Sequence, residues 1–498
     1  GGWSLGVIDA LTGAESARLV SAGVRSRAAI EPFSNYFVGR AHREWTRAGL
    51  GALATAVNRD VGDAALRERL PGQAYVAGFD GYYFLSGRKD WVVTGRLAGS
   101  RVAGSTAAVD RLQTSPQHYF QRPDQLRLQP GATSISGWTG SVNLNRNSGD
   151  LQANAALWGV SPGFESNDLG FNSRTSRWGG HGVFTWRKTA PDRYTRRRSF
   201  SLAKWYALNF QGERQGDGVH GFFNGQLKNY WNVGGNANVT FRTQNDLQTR
   251  GGPSMLSGRG WGAGAFAESD TRRRVQVGLE QFAGGNEFGA RSRSTFAWAE
   301  LKPSSSVRVS LNPGWSKSRS VAQYVTTVDD ALAGATYGHR YVFADLQQTE
   351  LSMTTRVNWI LSPRLSLQVY LQPLLSVGDY RGFKELARPR SFDFHAYGDG
   401  ASTLTRRAEG GYRADPDGSG PAPSFDFDDP DFNFKSLRAN AVFRWEWRLG
   451  STLYVVWTQQ RENSANPGEM RFGRDAADLF AAPADDVFLV KVTWRLGK

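Results

Sequence analysis

The stretch that most constrains the fold of this 498-residue chain spans residues 435–461. Its first half alternates between two kinds of side chain, with Leu437, Ala439, Ala441, Phe443, Trp445 and Trp447 on one side and Arg438, Asn440, Arg444, Glu446 and Arg448 on the other. After a tight connection at 448–451, Leu453, Val455 and Trp457 again share one face. A period of two residues is typical of a β-strand, so this stretch predicts a long hairpin.

The two faces of this hairpin indicate its surroundings. In a soluble sandwich the apolar face is buried and the polar face meets water. Here the apolar face ends in tryptophans, and the opposite face carries arginines and a glutamate. Lipid on the outside and water on the inside would explain both faces, which favours a transmembrane β-barrel.

Composition agrees with a barrel once its strands are considered separately. The mean hydropathy is −0.47, and the sequence contains no apolar run of the roughly 18 residues that a transmembrane helix needs. Barrel strands keep the average low because every second residue faces the lumen. The aromatic content of 12%, including 17 Trp, fits two interfacial girdles.

The same alternation recurs along the whole chain, so residues 1–498 are interpreted as one domain. It predicts about 20 strands, an even number as in bacterial barrels. They lie near 3–12, 34–46, 48–59, 74–85, 89–102, 131–144, 150–160, 176–188, 199–212, 219–231, 234–243, 259–268, 272–284, 290–301, 305–316, 350–361, 365–376, 435–447, 451–460 and 486–496. The fold class is therefore all-β, an antiparallel up-and-down outer-membrane β-barrel.

Short and long connections alternate between these strands. The long ones are 13–33, 60–73, 103–130, 161–175, 244–258, 317–349, 377–434 and 461–485. In outer-membrane barrels the short connections face the periplasm and the long ones face outward. The final predicted strand, 486–496, then ends in the periplasm and is similar to the C-terminal insertion signal of such barrels.

Several segments resemble an uncharacterised family of bacterial outer-membrane proteins. They are FNFKSLRANAVFRWEWRLGSTLYVVWTQQ at 432–460, LSPRLSLQVYLQP at 361–373 with the following GDYRGFKEL, PGFESNDLGF at 162–171, and the opening GGWSLGVIDALTG. In that family a carbohydrate-binding domain similar to family-nine modules usually precedes a large barrel. The resemblance implies that this chain is the barrel portion. We expect a longer natural protein with a signal peptide, that upstream domain and about 22 to 26 strands.

An acidic loop at 415–431 is a candidate calcium site. It carries Asp415, Asp417, Asp426 and Asp428, with glycines that let the loop bend. Calcium binds several carboxylate and carbonyl oxygens in flexible loops, but the closing glutamate of an EF-hand is missing. The alternative is a solvated outer loop whose charges repel one another.

A second candidate is the loop from Phe164 to Asp168. Glu165, Asn167 and Asp168, next to an aromatic ring, offer the carboxylates and the amide that suit a sugar ligand. The same residues also suit a simple turn, because Asn and Asp cap and bend chains. The sequence leaves both possibilities open.

Other functional classes find little support. The net charge of +15 comes from Lys and Arg spread along the chain, which argues against nucleic-acid binding and suits lumen arginines or contacts with lipopolysaccharide. Cysteine is absent, and none of the six histidines lies in a nucleophile or zinc motif, so we expect no enzyme and no cofactor apart from the candidate calcium.

These observations predict an outer-membrane barrel that serves as a channel or binding platform for extracellular, glycan-derived material. Outer-membrane lipid surrounds such a barrel, whose lumen is too wide for its own strand side chains to fill. A plug, a periplasmic protein or a surface partner would then occupy or meet it. The alternatives are a structural anchor for a surface assembly and a plugged, energised receptor.

Overall fold

The computed structural model describes residues 2–124 and 128–495 and is built mainly of strands. In chain order they are β1 Trp3–Thr12, β2 Glu15–Ser21, β3 Val24–Glu31, β4 Ser34–Glu44, β5 Ala48–Arg59, β6 Gln73–Phe84, β7 Trp91–Ala103, β8 Ser134–Arg146, β9 Leu151–Val160, β10 Arg177–Lys188, β11 Thr195–Asn209, β12 Arg214–Leu227, β13 Asn232–Thr240, β14 Thr243–Asn245, β15 Met255–Ser257, β16 Gly260–Glu268, β17 Val275–Asn286, β18 Arg291–Ser304, β19 Val307–Asp329, β20 His339–Ser362, β21 Leu365–Leu386, β22 Phe394–Ala396, β23 Thr403–Arg406, β24 Tyr412–Asp415, β25 Phe425–Phe427, β26 Phe432–Arg448, β27 Ser451–Asn463 and β28 Ala484–Thr493.

The helices are few and lie in connections between strands. They are α1 Ala64–Arg69, α2 Thr106–Thr114 and α3 Phe472–Ala481, with one turn of 3-10 helix at Gly334–Thr336. Among the described residues, no helix combines the length and the apolar character needed to cross a membrane.

Twenty strands form one antiparallel sheet whose order follows the chain. They are β1, β4 to β13, β16 to β21 and β26 to β28. The short strand β22 pairs beside the upper end of β21. Small separate sheets are formed by β2–β3, β14–β15 and β23–β25. Within the described residues β1 and β28 each pair with a single neighbour, so they are the edges of the sheet.

Contacts between distant loops show that the sheet is curled. Three long connections, β7–β8, β13–β16 and β21–β26, leave the sheet at intervals of six strands. Each interval is about 29 Å along a flat sheet. Yet Arg122 of the first pairs with Asp246 of the second at 2.5 Å. The backbone N–H of Arg390, in the third, donates to the carbonyl of Ser254, in the second, at 2.6 Å. The loops meet because the sheet curls around a central space.

The two faces of the barrel differ as the sequence predicts. On β26, Trp445 lies on the outer face and is 45% exposed. Arg444 lies on the inner face, where it pairs with Glu446 at 3.1 Å. In the first half of the sheet, Arg40 and Asp80 form an ion pair across the lumen wall. An apolar outside and a polar inside define an outer-membrane β-barrel, and the protein lies in the bacterial outer membrane.

All twenty predicted barrel strands are present, and the prediction of fold class is confirmed. Residue 496, the last of the predicted final strand, lies outside the described residues. Two predicted loops are wrong in extent. β19 continues to Asp329, and β20 already begins at His339. The connection between them is therefore 330–338 instead of the predicted 317–349. β21 continues to Leu386, so the loop predicted at 377–434 begins ten residues later than expected.

Candidate functional site at the extracellular mouth

The long connections gather at one end of the barrel, which their length identifies as the extracellular end. In the part of the chain that the structure describes, three of them turn inward and meet across the mouth: 104–133, 161–176 and 241–259. We call residues 104–133 the central loop, because it contacts both of the others. The sequence left open whether this loop turns inward, and the structure shows that it does.

The central loop is anchored to the lumen wall by a small apolar core. Ser105 caps α2 by accepting a hydrogen bond from the Ala108 N–H at 3.2 Å. Phe120 then packs against Val57, Val102 and Ile135 of the wall, and all four side chains are at most 7% exposed. These wall residues lie on the face that is polar lower in the barrel. The wall is therefore apolar where the central loop covers it.

A buried ionic cluster joins the three loops. Asp246 of loop 241–259 accepts from Arg122 of the central loop and from Arg174 of loop 161–176, each at 2.5 Å. Asp246 and Arg122 are only 2% exposed in their side chains. Burial lowers the pKa of Arg174, and the charge of Asp246 opposes that effect. One carboxylate thus neutralises two arginines from different loops.

Glu165, a predicted ligand residue, lies in a second buried contact. Its carboxylate accepts from His118 Nε2 at 3.0 Å, while His118 Nδ1 faces the Pro162 carbonyl at 2.8 Å. Both ring nitrogens of His118 therefore lie within hydrogen-bond distance of protein oxygens. Burial alone would raise the pKa of Glu165, but hydrogen bonds from His118 and the Asn167 N–H hold it below its usual value. The stabilisation is present at neutral pH and is lost as pH falls below about 4.

The other two predicted ligand residues of this loop also contact protein groups. The Asn167 side-chain amide donates to the Asn172 carbonyl at 3.1 Å, and its oxygen accepts from the Asn172 N–H at 2.6 Å. Asp168 pairs with Arg59 of β5 at 2.6 Å. The structure therefore brings Glu165, Asn167 and Asp168 into one loop whose polar groups bind neighbouring protein groups. Their role in ligand binding stays a prediction.

Two glycines let this loop approach the wall closely. A side chain at Gly137 of β8 would overlap the backbone at Phe164, and one at Gly163 would overlap the Ser136 carbonyl. The backbone of loop 161–176 thus lies directly on the lumen face of the barrel. Such close approach is a reason for glycine at both positions.

A polar pocket opens beside the ionic cluster. It has a volume of about 310 Å³ and is lined by Arg174, Gln215, Thr243, Gln244, Asn245, Leu247, Gln248, Arg250, Ser257, Gln323 and Tyr324. Within the described residues, the buried atoms Arg174 Nε, Gln215 Nε2 and Gln244 Oε1 have no hydrogen-bond partner. Buried polar groups are normally paired, so three side chains that line this pocket each keep an unpaired polar atom. We call this cavity the amide pocket.

In the acidic loop the predicted calcium ligands do not converge. Asp415 and Asp417 accept from backbone N–H groups of their own turn, at Gly418 (2.8 Å) and Ala422 (3.0 Å). Asp426 pairs with Arg413 at 2.7 Å, and Asp428 is exposed. In the described parts of the chain no three acidic or histidine side chains converge as metal ligands do. Calcium binding by this loop stays a prediction.

The amide pocket could not be predicted from the sequence, because its lining comes from five separate segments between Arg174 and Tyr324. One signal was available. The segment 243–250 contains Gln244, Asn245 and Gln248, an amide-rich run that differs from the acidic and glycine-rich loops elsewhere. Amides offer donors and acceptors without charge, which suits a polar ligand.

Comparison with solved structures finds only loose likenesses. A mutant ferric enterobactin receptor from Pseudomonas aeruginosa, in complex with enterobactin, is 10% identical, with 98% of this chain and 81% of that chain covered and a TM-score of 0.40. The FrpB iron transporter from Neisseria meningitidis is 7% identical, with coverage of 85% and 74% and a TM-score of 0.42. The siderophore receptor PirA from Acinetobacter baumannii is 9% identical, with coverage of 93% and 71% and a TM-score of 0.37. Similarity at this level carries no argument about function.

Sequence comparison identifies the family. No curated protein is detectably similar to the chain. Residues 93–496 match the family described as a domain of unknown function, DUF5916. This match covers most of the barrel, from β7 to the end of β28. The chain therefore belongs to the DUF5916 family.

Proposed function

We propose that this protein is an outer-membrane receptor barrel that binds a hydroxyl-rich, glycan-derived solute in the amide pocket and admits it past the central loop. The amide pocket carries this proposal. Its glutamines and asparagine can donate to and accept from sugar hydroxyls. Arg250 lies over the Tyr324 ring at 4.5 Å, so a cation and an aromatic face border the same cavity.

The closed mouth favours a receptor over an open channel. A plain diffusion channel needs a continuous water path, whereas here the central loop, Phe120 and the Arg122–Asp246 pair occupy the entrance. The runner-up is a plugged receptor driven by a periplasmic partner. The structural anchor is less favoured because unpaired buried amides are costly unless a ligand uses them.

The upstream carbohydrate-binding domain that the sequence resemblance implies is part of the proposed function. Such a domain would hold extracellular polysaccharide close to the amide pocket. The barrel itself needs no catalytic group in this scheme.

The proposed function is tested by substitution in the amide pocket. We expect Gln244→Ala combined with Gln215→Ala to weaken binding of short neutral and uronic-acid-containing oligosaccharides by at least about tenfold, since each lost hydrogen bond is worth about 1 kcal/mol. Binding is measured by titration calorimetry on the purified full chain.

Gln152→Ala is the matched control, because Gln152 lies at the periplasmic end and donates to the Asn147 carbonyl at 2.7 Å. Unchanged affinity in the double variant, or equal losses in both proteins, would contradict the proposal. Absence of binding across the whole oligosaccharide panel would contradict the glycan assignment.

A further inference from the structure

The connection between β27 and β28, residues 464–483, folds back over the outside of the barrel. The Asn433 amide donates to the carbonyls of Asn466 and Glu469 at 3.0 and 2.9 Å. Lys435 Nζ donates to the Ala465 carbonyl at 2.8 Å. Asn433 and Lys435 share the face of β26 that carries Trp445 lower down, so this connection covers the outer wall.

Helix α3 of this connection leaves an apolar groove against the wall. Leu479 is 1% exposed and packs on Leu375 and Leu437 of the outer face. Beside this contact lies a cavity of about 410 Å³ lined mostly by apolar groups, with Phe472 and Phe480 from the helix and strand residues from β18 to β21. The two phenylalanines are 67% and 59% exposed. We call this cavity the outer groove.

The outer groove lies at the level of the outer leaflet. Leu437 is eight residues above Trp445 on β26. With a rise of about 3.4 Å per residue and a tilt of about 40°, that is a height of about 20 Å. The apolar band of such barrels is about 25 Å tall. The groove is therefore reached by acyl chains from the outer leaflet.

Directly above the groove the same outer face becomes strongly basic. Arg293 lies opposite Lys317 in the register of β18 and β19, and Arg291 lies opposite Arg319. Like charges directly opposite each other destabilise a sheet, and a bound anion would offset that repulsion. Arg319 pairs with Asp345. In residues 2–124 and 128–495, no carboxylate pairs with Arg291, Arg293 or Lys317.

The basic patch and the groove are parts of one surface. Trp315 lines the outer groove and also a second cavity, of about 570 Å³, that is lined by the four basic residues. Lys317 lies four residues above Pro313, which lines the groove, so it is about 10 Å higher on the barrel. This places the charges above the apolar band, at the level of lipid head groups.

We propose that this surface binds a phosphorylated, multiply acylated lipid of the outer leaflet, of the lipopolysaccharide class. Arginine and lysine at the patch bind its phosphates, and an acyl chain enters the outer groove beneath α3. Charge complementarity selects this occupant over a neutral phospholipid. The site is separate from the amide pocket and does not depend on the function proposed there.

The test measures binding of purified, phosphorylated lipid A to the full chain in detergent by native mass spectrometry. We expect Arg293→Gln combined with Lys317→Gln to weaken binding at least about tenfold. Dephosphorylated lipid A should bind the unaltered protein equally weakly. Ala476→Trp, which fills the groove, should also reduce binding.

The control is Arg25→Gln combined with Arg27→Gln, which removes the same charge from the exposed strand β3 and should change nothing. All variants must keep the folded barrel's migration in unheated gels, so that a loss reports on the site. Wild-type affinity in the Arg293/Lys317 or Ala476 variant would overturn the proposal. Equal binding of dephosphorylated lipid, or full displacement by inorganic phosphate, would also overturn it.

Discussion

Replacement of Asp246 by alanine should release the central loop from the barrel mouth. The change leaves Arg122 and Arg174 buried without their shared carboxylate. Breaking a buried pair in this way typically costs about 3–5 kcal/mol. We therefore expect amide hydrogen exchange in the central loop and in loop 241–259 to accelerate by at least about a hundredfold, measured by mass spectrometry.

Glu409→Ala is the control for this change, because Glu409 is 66% exposed in its ion pair with Arg407. Exposed pairs contribute little, so its exchange pattern should match that of the unaltered protein. Slow exchange in the central loop of the Asp246 variant would show that the ionic cluster does not hold the mouth closed.

The second large effect is expected at Arg340, above the membrane. Arg340 pairs with Asp330 and Glu385, each at 2.6 Å, and the Tyr397 hydroxyl donates to Glu385 at 2.7 Å. Arg340→Met would leave two carboxylates buried without a cation, at a cost of about 3–5 kcal/mol. We expect the upper ends of β19 and β20 to open locally, seen as rapid proteolysis within 330–338.

Arg388→Met provides the comparison, since Arg388 and its partner Asp393 are 71% and 53% exposed. This variant should resist protease as well as the unaltered chain does. Equal resistance of the Arg340 variant would mean that apolar packing around Val342 and Phe383 alone holds the upper wall.

The strands could be predicted from the sequence because lipid imposes a strict pattern. Lipid favours apolar outward side chains, so every second residue from Leu437 to Trp447 is apolar. Above the membrane both faces of a strand meet water or loops. The upper parts of β19 and β20 lack the pattern for that reason, and the sequence assigned them to a loop.

The arrangement of the loops could not be predicted, because it depends on contacts between distant residues. Arg122 and Asp246 are 124 positions apart. Nothing local to either residue indicates the pairing. The helix that covers the outer wall did leave a local signal: Phe472, Ala476, Leu479 and Phe480 recur at helical spacing. This pattern lies inside a segment that the strand analysis treated only as a connection.

Two expectations from the sequence stay predictions: the upstream carbohydrate-binding domain and the additional strands.

The central claim is that the chain's own loops close the barrel. Single-channel conductance in a planar bilayer tests it directly, with the full chain and with residues 106–131 replaced by a short Gly-Ser linker. We predict a quiet baseline for the full chain and stable, large steps for the variant, because a barrel of this size has a wide lumen once it is emptied. Large steady steps from the full chain, or silence from both proteins, would contradict the account.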